Sequence, residues 1–333
     1  MSEPDQELAI KTHGLRMVYN PGLFAPRKIG LHGLDLEAPK GSIYGFLGQN
    51  GAGKTSAIKI LVGLQYATAG EAWIMGETVR FSRARRHIGF MPENPYFYEY
   101  LTSEEILNFY GKLSGLNRVA RKKRSDELLS ELGLEHARKV QMRNFSKGMR
   151  QRLGLAQAIL HKPALAILDE PMSGLDPLGR RDFRNIILSL RDAGQTVFFS
   201  SHILSDVEDI CDRVCVIDYG KKISEGAISA LLTGKVLEVS LSATGLPTTG
   251  LPEVVRLATR AWHDGALYHV LVDSEEKAQQ VKAQLEQAGG VLRSMQPHKE
   301  SLEEYFVRIT RADTTADAMI APESTHPEKE VFG

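Results

Sequence analysis

The run Gly48-Gln49-Asn50-Gly51-Ala52-Gly53-Lys54-Thr55 fits the pattern G-x-x-x-x-G-K-[ST], and it dictates the fold around it. The apolar stretch Ser42–Leu47 before it reads as a buried strand. Ser56–Val62 after it carries apolar residues at helical spacing. Strand, glycine loop and helix together form a phosphate cradle. The glycines let backbone N–H groups turn inward around phosphate oxygens, and the helix start adds its positive end. Lys54 is placed to reach the β- and γ-phosphates, and the Thr55 hydroxyl to bind Mg²⁺.

A chain of 333 residues accommodates a large domain and a smaller one. Lys plus Arg and Asp plus Glu both number 41, so no global basic bias points to nucleic acid, and no nucleic-acid partner is expected. The two cysteines, Cys211 and Cys215, lack a nearby histidine set and read as packing residues rather than metal ligands, in keeping with a reducing compartment. The acidic start Met1–Asp5 does not resemble a secretory signal, and no apolar run approaches the roughly 20 residues that span a bilayer.

Along the chain, Leu8–Tyr19 and Leu31–Ala38 read as strands joined by a loop with Asn20-Pro21-Gly22 and Pro26. Ala72–Gly76 reads as strand and turn, and Ile88–Met91 as a strand ended by Pro92. A mostly helical insertion over about 95–160 follows. It opens with the cap Thr102-Ser103-Glu104-Glu105 and continues in helices at Asp126–Leu132 and Met149–Leu160. Its basic run Arg121–Arg124 reads as a solvated helix face. Strands return at Ala164–Leu168 and Thr196–Ser200, around a helix over Leu178–Ala193. A hairpin over Val214–Asp218 and Lys222–Gly226 closes this part. Beyond about Leu232 the pattern predicts a small α+β domain over 233–310. Its strands fall at Val236–Leu241, Val254–Leu257, Leu267–Val272 and Val291–Met295, with a helix at Glu275–Ala288 and a short last helix from Ser301. Residues 311–333 read as a disordered tail.

Two further motifs carry chemistry. Leu165–Glu170 is an apolar strand that delivers Asp169 and Glu170 at its carboxyl end, where ligands bind in such sheets. Asp169 is suited to orient Mg²⁺ and Glu170 to polarise an attacking water. Asn144–Arg152 places Ser146 and Gly148 at a helix start, an anion site by geometry.

In this order the motifs resemble the ATP-binding subunit of an ABC transporter across residues 7 to 232. Phe145-Ser146-Lys147-Gly148-Met149 stands in place of the LSGGQ signature. Ser173–Pro177 matches the D-loop with Asp176, Ser200-Ser201-His202 the switch histidine, and Gly89–Glu93 the Q-loop. Tyr19 stands where the family stacks a ring on adenine. The resemblance implies a P-loop α/β ATPase with an antiparallel β edge, the helical insertion and a C-terminal α+β domain. It implies ATP held by Gly48, Asn50, Gly51, Ala52, Gly53, Lys54, Thr55 and Ser56, and Mg²⁺ at Thr55, Asp169 and Glu93. Glu170 would be the base and His202 the γ-phosphate contact. Ser146, Gly148 and Asp176 would face a second ATPase subunit, most simply another copy of this chain.

At positions that bear on chemistry the chain departs from the pattern: Glu93 stands for Gln, Lys147 for a Gly, and Met149 for a Gln. These departures, with the ending Ser301–Phe306, resemble ATPases that pair with ABC-2-type permeases. That implies a subunit on the cytoplasmic face of the cell membrane, held there by a separate permease and powering export. The alternative is an ABC ATPase without transport, in DNA repair, translation or regulation. The cluster Tyr96-Phe97-Tyr98 with Tyr100 reads equally as a groove for a permease helix and as local packing.

Overall fold

The computed structural model describes residues 7–20, 27–246 and 251–309. The chain divides into a first unit, Met1–Ile228, and a second, Ser229–Gly333. In chain order the first part comprises β1 (Leu8–Tyr19), β2 (Lys28–Pro39), β3 (Ile43–Leu47), α1 (Lys54–Leu61), β4 (Ala69–Ile74), β5 (Glu77–Thr78) and β6 (Ile88–Met91). Three helices follow: α2 (Ser103–Leu113), α3 (Arg118–Glu131) and α4 (Lys147–Ile159). Then come β7 (Leu165–Leu168), α5 (Pro177–Asp192), β8 (Thr196–Ser201), α6 (Leu204–Glu208), β9 (Arg213–Asp218), β10 (Lys221–Ala227) and the one-turn α7 (Ile228–Leu231). The second unit adds β11 (Val236–Thr244), α8 (Pro252–Leu257), β12 (Arg260–Asp264), β13 (Leu267–Val272), α9 (Glu275–Gln287), β14 (Val291–Lys299) and a helix over residues 302–309.

The first unit holds two sheets. One is antiparallel, in the order β2-β1-β4-β5. The other runs β10-β9-β3-β8-β7-β6, parallel except for the β9–β10 hairpin. Every residue of β3, β7 and β8 is buried, as expected of strands covered on both faces. Phe198 is fully buried between Tyr44 and Phe46, with ring centroids 5.7 and 5.4 Å away; such burial contributes about 1.5–3 kcal/mol per side chain. A single core joins Ile10, Leu34 and Ile74 of the antiparallel sheet to Tyr44, Phe198 and Ile217 of the mixed one, with Ile58 and Leu61 of α1 among them.

Parallel register decides where the chemistry lies. Leu47 pairs with Ser201, Leu168 with Phe199, and Met91 with Leu168. The segments that follow β3, β6, β7 and β8 therefore leave the sheet at one edge, the carboxyl ends of its strands.

The helical segment begins as expected. Thr102 caps α2, and Thr102 and Glu105 form a reciprocal capping box. The helix expected from Asp126 starts earlier, at Arg118, because Asn117 accepts from the Ala120 N–H and supplies the cap. On α3, Arg121 bonds Asn108 and the Leu116 carbonyl, and Arg124 pairs with Glu127.

In the second unit, a sheet in the order β12-β13-β11-β14 packs Val239, Leu241, Val270 and Val272 against Val281 and Leu285 of α9. One expectation is overturned: Val254–Leu257 is part of helix α8, not a strand. Pro252 and Glu253 start that helix, and Val254 and Leu257 present one apolar face to the core at helical spacing. The strand β12 went unrecognised. It pairs with β13 through a turn at Asp264-Gly265, where Gly265 adopts φ +59°. The tail expected over 311–333 and the loop around Pro21–Pro26 lie outside the described residues.

Candidate functional site

The phosphate loop joins β3 to α1. Gly51 and Gly53 adopt φ of +87° and +106°, a region that only glycine enters without strain. Two of its glycines also answer close approaches. A Cβ on Gly53 would lie 2.5 Å from the Gly30 carbonyl oxygen, and one on Gly48 would lie 2.5 Å from that of Ile217. Gly53 is the residue before α1, so Lys54, Thr55 and Ser56 form a first turn whose N–H groups have no acceptor within the helix. These groups and the helix dipole make an anion site.

Lys54 is 5% exposed, although it is charged. Its Nζ donates to the carbonyls of Gly48 (2.6 Å) and Gln49 (3.3 Å) and lies 3.2 Å from Oε1 of Glu170. The ammonium thus spans the loop from within, beside the carboxylate delivered by β7.

Asp169 and Glu170 follow β7 and are 4% and 8% exposed. Glu170 adopts φ +48°, unusual for a residue with a side chain and a form of strain that gathers at functional sites. Its Oε2 lies 2.7 Å from Nδ1 of His202. Its Oε1 accepts no hydrogen bond and faces the Lys54 ammonium. Ser200, fully buried at the end of β8, ties the pair together. Its hydroxyl accepts from the Glu170 N–H (2.9 Å) and donates to Oδ1 of Asp169 (2.6 Å). Burial pushes the Asp169 carboxyl above its ordinary 3.8; the Ser200 hydrogen bond opposes the rise, the charges of Glu170 and Glu93 add to it, and Lys54 counters them.

A desolvated carboxylate with one oxygen already bonded suits a cation at the other. The exposed Thr55 follows Lys54, whose ammonium lies 3.2 Å from the neighbouring Glu170. Among the described residues no group of three or more His, Cys, Asp or Glu could hold a metal ion alone. A divalent cation at Thr55 and Asp169 would therefore need phosphate oxygens as further ligands, the usual arrangement for Mg²⁺. Glu93 is exposed after β6, and its carbonyl accepts from Nε2 of the buried Gln151 on α4 (2.8 Å).

Tyr19 is partly buried against the core at the end of β1. Its hydroxyl is 2.9 Å from the Ser56 hydroxyl and donates to Gln65 (3.3 Å); its ring lies where a Cβ of Gly30 would be. The tyrosine is thus fixed beside the start of α1.

Ser146 caps α4 and accepts from the Met149 N–H (3.2 Å). Asp176 caps α5 and accepts from the Gly179 N–H (2.7 Å), with Pro177 in the first turn. These two helix starts adjoin. Leu175 Cδ2 would be 3.5 Å from a Cβ on Gly148, and the Lys147 ammonium lies over Gly174. Lys147, the departure from glycine in the signature, thus occupies space that Gly174 leaves open.

The structure therefore brings Gly48, Asn50–Ser56, Asp169, Glu170 and His202 to one edge, with Tyr19 beside them. Ser146, Gly148 and Asp176 form a second group. Among the described residues no hydrogen bond or ion pair links Ser146, Lys147 or Gly148 to the phosphate loop. Ser200 and Gln151 were missed as site residues. The available signals were a serine ending an otherwise apolar strand and a glutamine on a helix face that is otherwise apolar. Cys211 and Cys215 are both buried and free, and burial pushes both thiols up, with Cys215 above the range of a reactive thiol.

The comparisons agree with this geometry. Residues 31–173 match the family model described as ABC transporter. An uncharacterized ABC transporter ATP-binding protein of Nostoc sp. is 38% identical over 330 residues, covering 95% of this chain and 96% of its own. The bacitracin transport ATP-binding protein BcrA of Bacillus licheniformis is 37% identical over 286 residues, covering 84% and 92%. A solved ATP binding subunit of an ABC transporter aligns with a TM-score of 0.60 and 30% identity over 68% of this chain and 92% of that one. A loop built for phosphates, a carboxylate pair beside its lysine and 38% identity along nearly the full length of such a protein lead to one conclusion: the chain belongs to the ATP-binding proteins of ABC transporters and is an ATPase of that family.

Proposed function

We propose that this chain energises a separate membrane permease of the ABC-2 export type from the cytoplasmic face of the membrane, working as a head-to-tail dimer with ATP between the copies. The observation that carries the dimer is the separation of the two half-sites. The phosphate loop, Glu170 and His202 stand together, whereas Ser146 and Gly148 stand at the start of α4, which no described hydrogen bond or ion pair joins to the phosphate loop. A second copy would supply the missing side of the γ-phosphate.

In this reading Gly48, Asn50, Gly51, Ala52, Gly53, Lys54, Thr55 and Ser56 hold the phosphates, and Tyr19 offers its ring to adenine. Glu170 takes the proton of the attacking water at its Oε atoms, with His202 holding Oε2 and serving as the γ-phosphate contact. Thr55 and Asp169, with Glu93 beyond them, would hold Mg²⁺, which supplies charge neutralisation at the β- and γ-phosphates. Asp176 faces the partner copy. Once the γ-phosphate leaves, the negative charge that both half-sites grip is gone and the dimer parts.

Export is supported by the likeness to BcrA, a protein named for bacitracin transport, which at 286 aligned residues outruns the first unit. No described helix is long and apolar enough to cross a membrane. Tyr96, Tyr98 and Tyr100 are exposed after Glu93, and Tyr96 lines a cleft with Phe97, Pro95, Tyr110 and Leu64 that suits a permease helix. The test is affinity purification of the chain from its native membranes in mild detergent. A stoichiometric polytopic protein is expected. Recovery only from the soluble fraction, or with ribosomes or DNA, overturns the transport reading.

A further inference from the structure

The loop that carries Asp176 and the segment that carries His202 are tied by one guanidinium. Arg180 lies in the first turn of α5, four residues after its cap Asp176. Its Nη1 is 3.3 Å from Oδ2 of Asp206 on α6, the helix that follows His202. Its Nε donates to the carbonyl of Leu175 (3.3 Å), inside the loop itself. Leu175 is also the residue whose side chain lies against Gly148.

Asp206 is only 3% exposed. Burial pushes its carboxyl up, and the charges of Arg180, Arg184 and His202 pull it back, while Glu170 raises it again. Asp206 stands four residues after His202, whose Nδ1 lies 2.7 Å from Oε2 of Glu170, so the ion pair is joined to the reaction centre through a short stretch of chain. An ion pair with its carboxylate buried and its guanidinium 27% exposed is a poor choice for stability alone, since removing such a charge from water offsets much of the attraction. An arginine with two divergent donors does something an apolar pair does not: it fixes the Leu175 backbone relative to α6.

We propose that Asp206 and Arg180 are positioning residues that relay the state of Glu170 and His202 to the Ser173–Asp176 loop and the neighbouring Gly148. Nucleotide at the phosphate loop changes the charge around His202, Asp206 shifts its hold on Arg180, and Arg180 resets the Leu175 carbonyl. The surface offered to the second copy thereby depends on what the first copy has bound, and the dependence is reciprocal. The consequence for self-association rests on the dimer reading above, whereas the relay itself lies within one chain.

The test uses the full-length protein, with ATP supplied as a slowly hydrolysed analogue. Three proteins are compared: the unaltered parent, the parent with Arg180→Lys, and the parent with Arg180→Met and Asp206→Leu together. Lysine keeps the ion pair but cannot also fork to Leu175; the apolar pair keeps the volume. Amide hydrogen exchange at Gly174–Asp176, with and without ATP, reads the relay. Sedimentation equilibrium reads association, and ATP affinity and thermal unfolding read integrity.

ATP is expected to slow exchange at Gly174–Asp176 in the parent and to leave it unchanged in both variants. Association should weaken about tenfold or more, the scale of an ordinary allosteric coupling, with ATP affinity and unfolding held. The relay is overturned if the variants show the parent's exchange response, or if ATP affinity and unfolding fall together with association, which marks a folding strut. A parent that fails to associate with ATP overturns the dimer reading instead, and the exchange result then still decides the relay.

Discussion

Replacing Glu170 by glutamine separates binding from chemistry. The amide has nearly the same volume and can still bond His202, now 2.7 Å from Oε2, while its backbone N–H keeps Ser200. It cannot take a proton. Loss of a general base lowers turnover by about 10²–10⁴-fold, which at about 1.36 kcal/mol per tenfold is roughly 2.7–5.4 kcal/mol of barrier. The folded protein loses less. Lys54 keeps the carbonyls of Gly48 and Gln49, so the cost to stability stays below about 3 kcal/mol. ATP affinity should hold or rise, because the carboxylate that engages the Lys54 ammonium at 3.2 Å is gone. Phosphate release measured in steady state and in single turnover, with nucleotide binding alongside, gives both quantities. Turnover within about threefold of the parent would refute Glu170 as the base, since base catalysis contributes far more than that.

Other perturbations follow from the same geometry. Ser200→Ala strands the buried Glu170 N–H and should cost about 1–3 kcal/mol in a chemical unfolding titration at neutral pH. It also removes the hydrogen bond that opposes the rise in Asp169; since a raised carboxyl penalises the folded state only when ionised, the part of the loss due to Asp169 should vanish once pH falls below the ordinary 3.8. Gly53→Ala puts a Cβ at φ +106° and 2.5 Å from the Gly30 carbonyl; calorimetry should show nucleotide binding lost, with about 1–3 kcal/mol of strain in unfolding. In the second unit, hydrogen bonds from the Ser301 backbone and from His298 hold the Glu304 carboxyl down to about 2. Its contribution is therefore present above 4.5 and lost as pH falls toward 2, and Glu304→Gln should remove that part of the acid slope in an unfolding titration.

The site was legible wherever its signal is local. The phosphate loop, the carboxylate pair after an apolar strand and the capping box at Thr102 each lie within about a dozen residues, so spacing alone reveals them. The Val254–Leu257 error shows the limit. Two adjacent β-branched residues favour a strand, yet core packing of one helical face outweighed that propensity. The Asp264-Gly265 turn was a local signal left unused, and with it β12.

By itself the sequence determined that a phosphate-binding α/β fold would form, because glycine conformations, helix caps and hydrophobic patterning act over a few residues, and the order of its motifs supplied the resemblance to ABC ATPases. Only the tertiary structure decided what stands beside what. The order β3-β8-β7 brings Lys54 to Glu170, 116 positions later by number, and lets Ser200 join the Asp169 carboxylate to the Glu170 N–H. Contact between Lys147 and Gly174, and the fork of Arg180 to Leu175 and Asp206, arise in the same way. Strand order and helix docking are set by burying one shared core, a global free-energy balance that no short stretch of residues encodes.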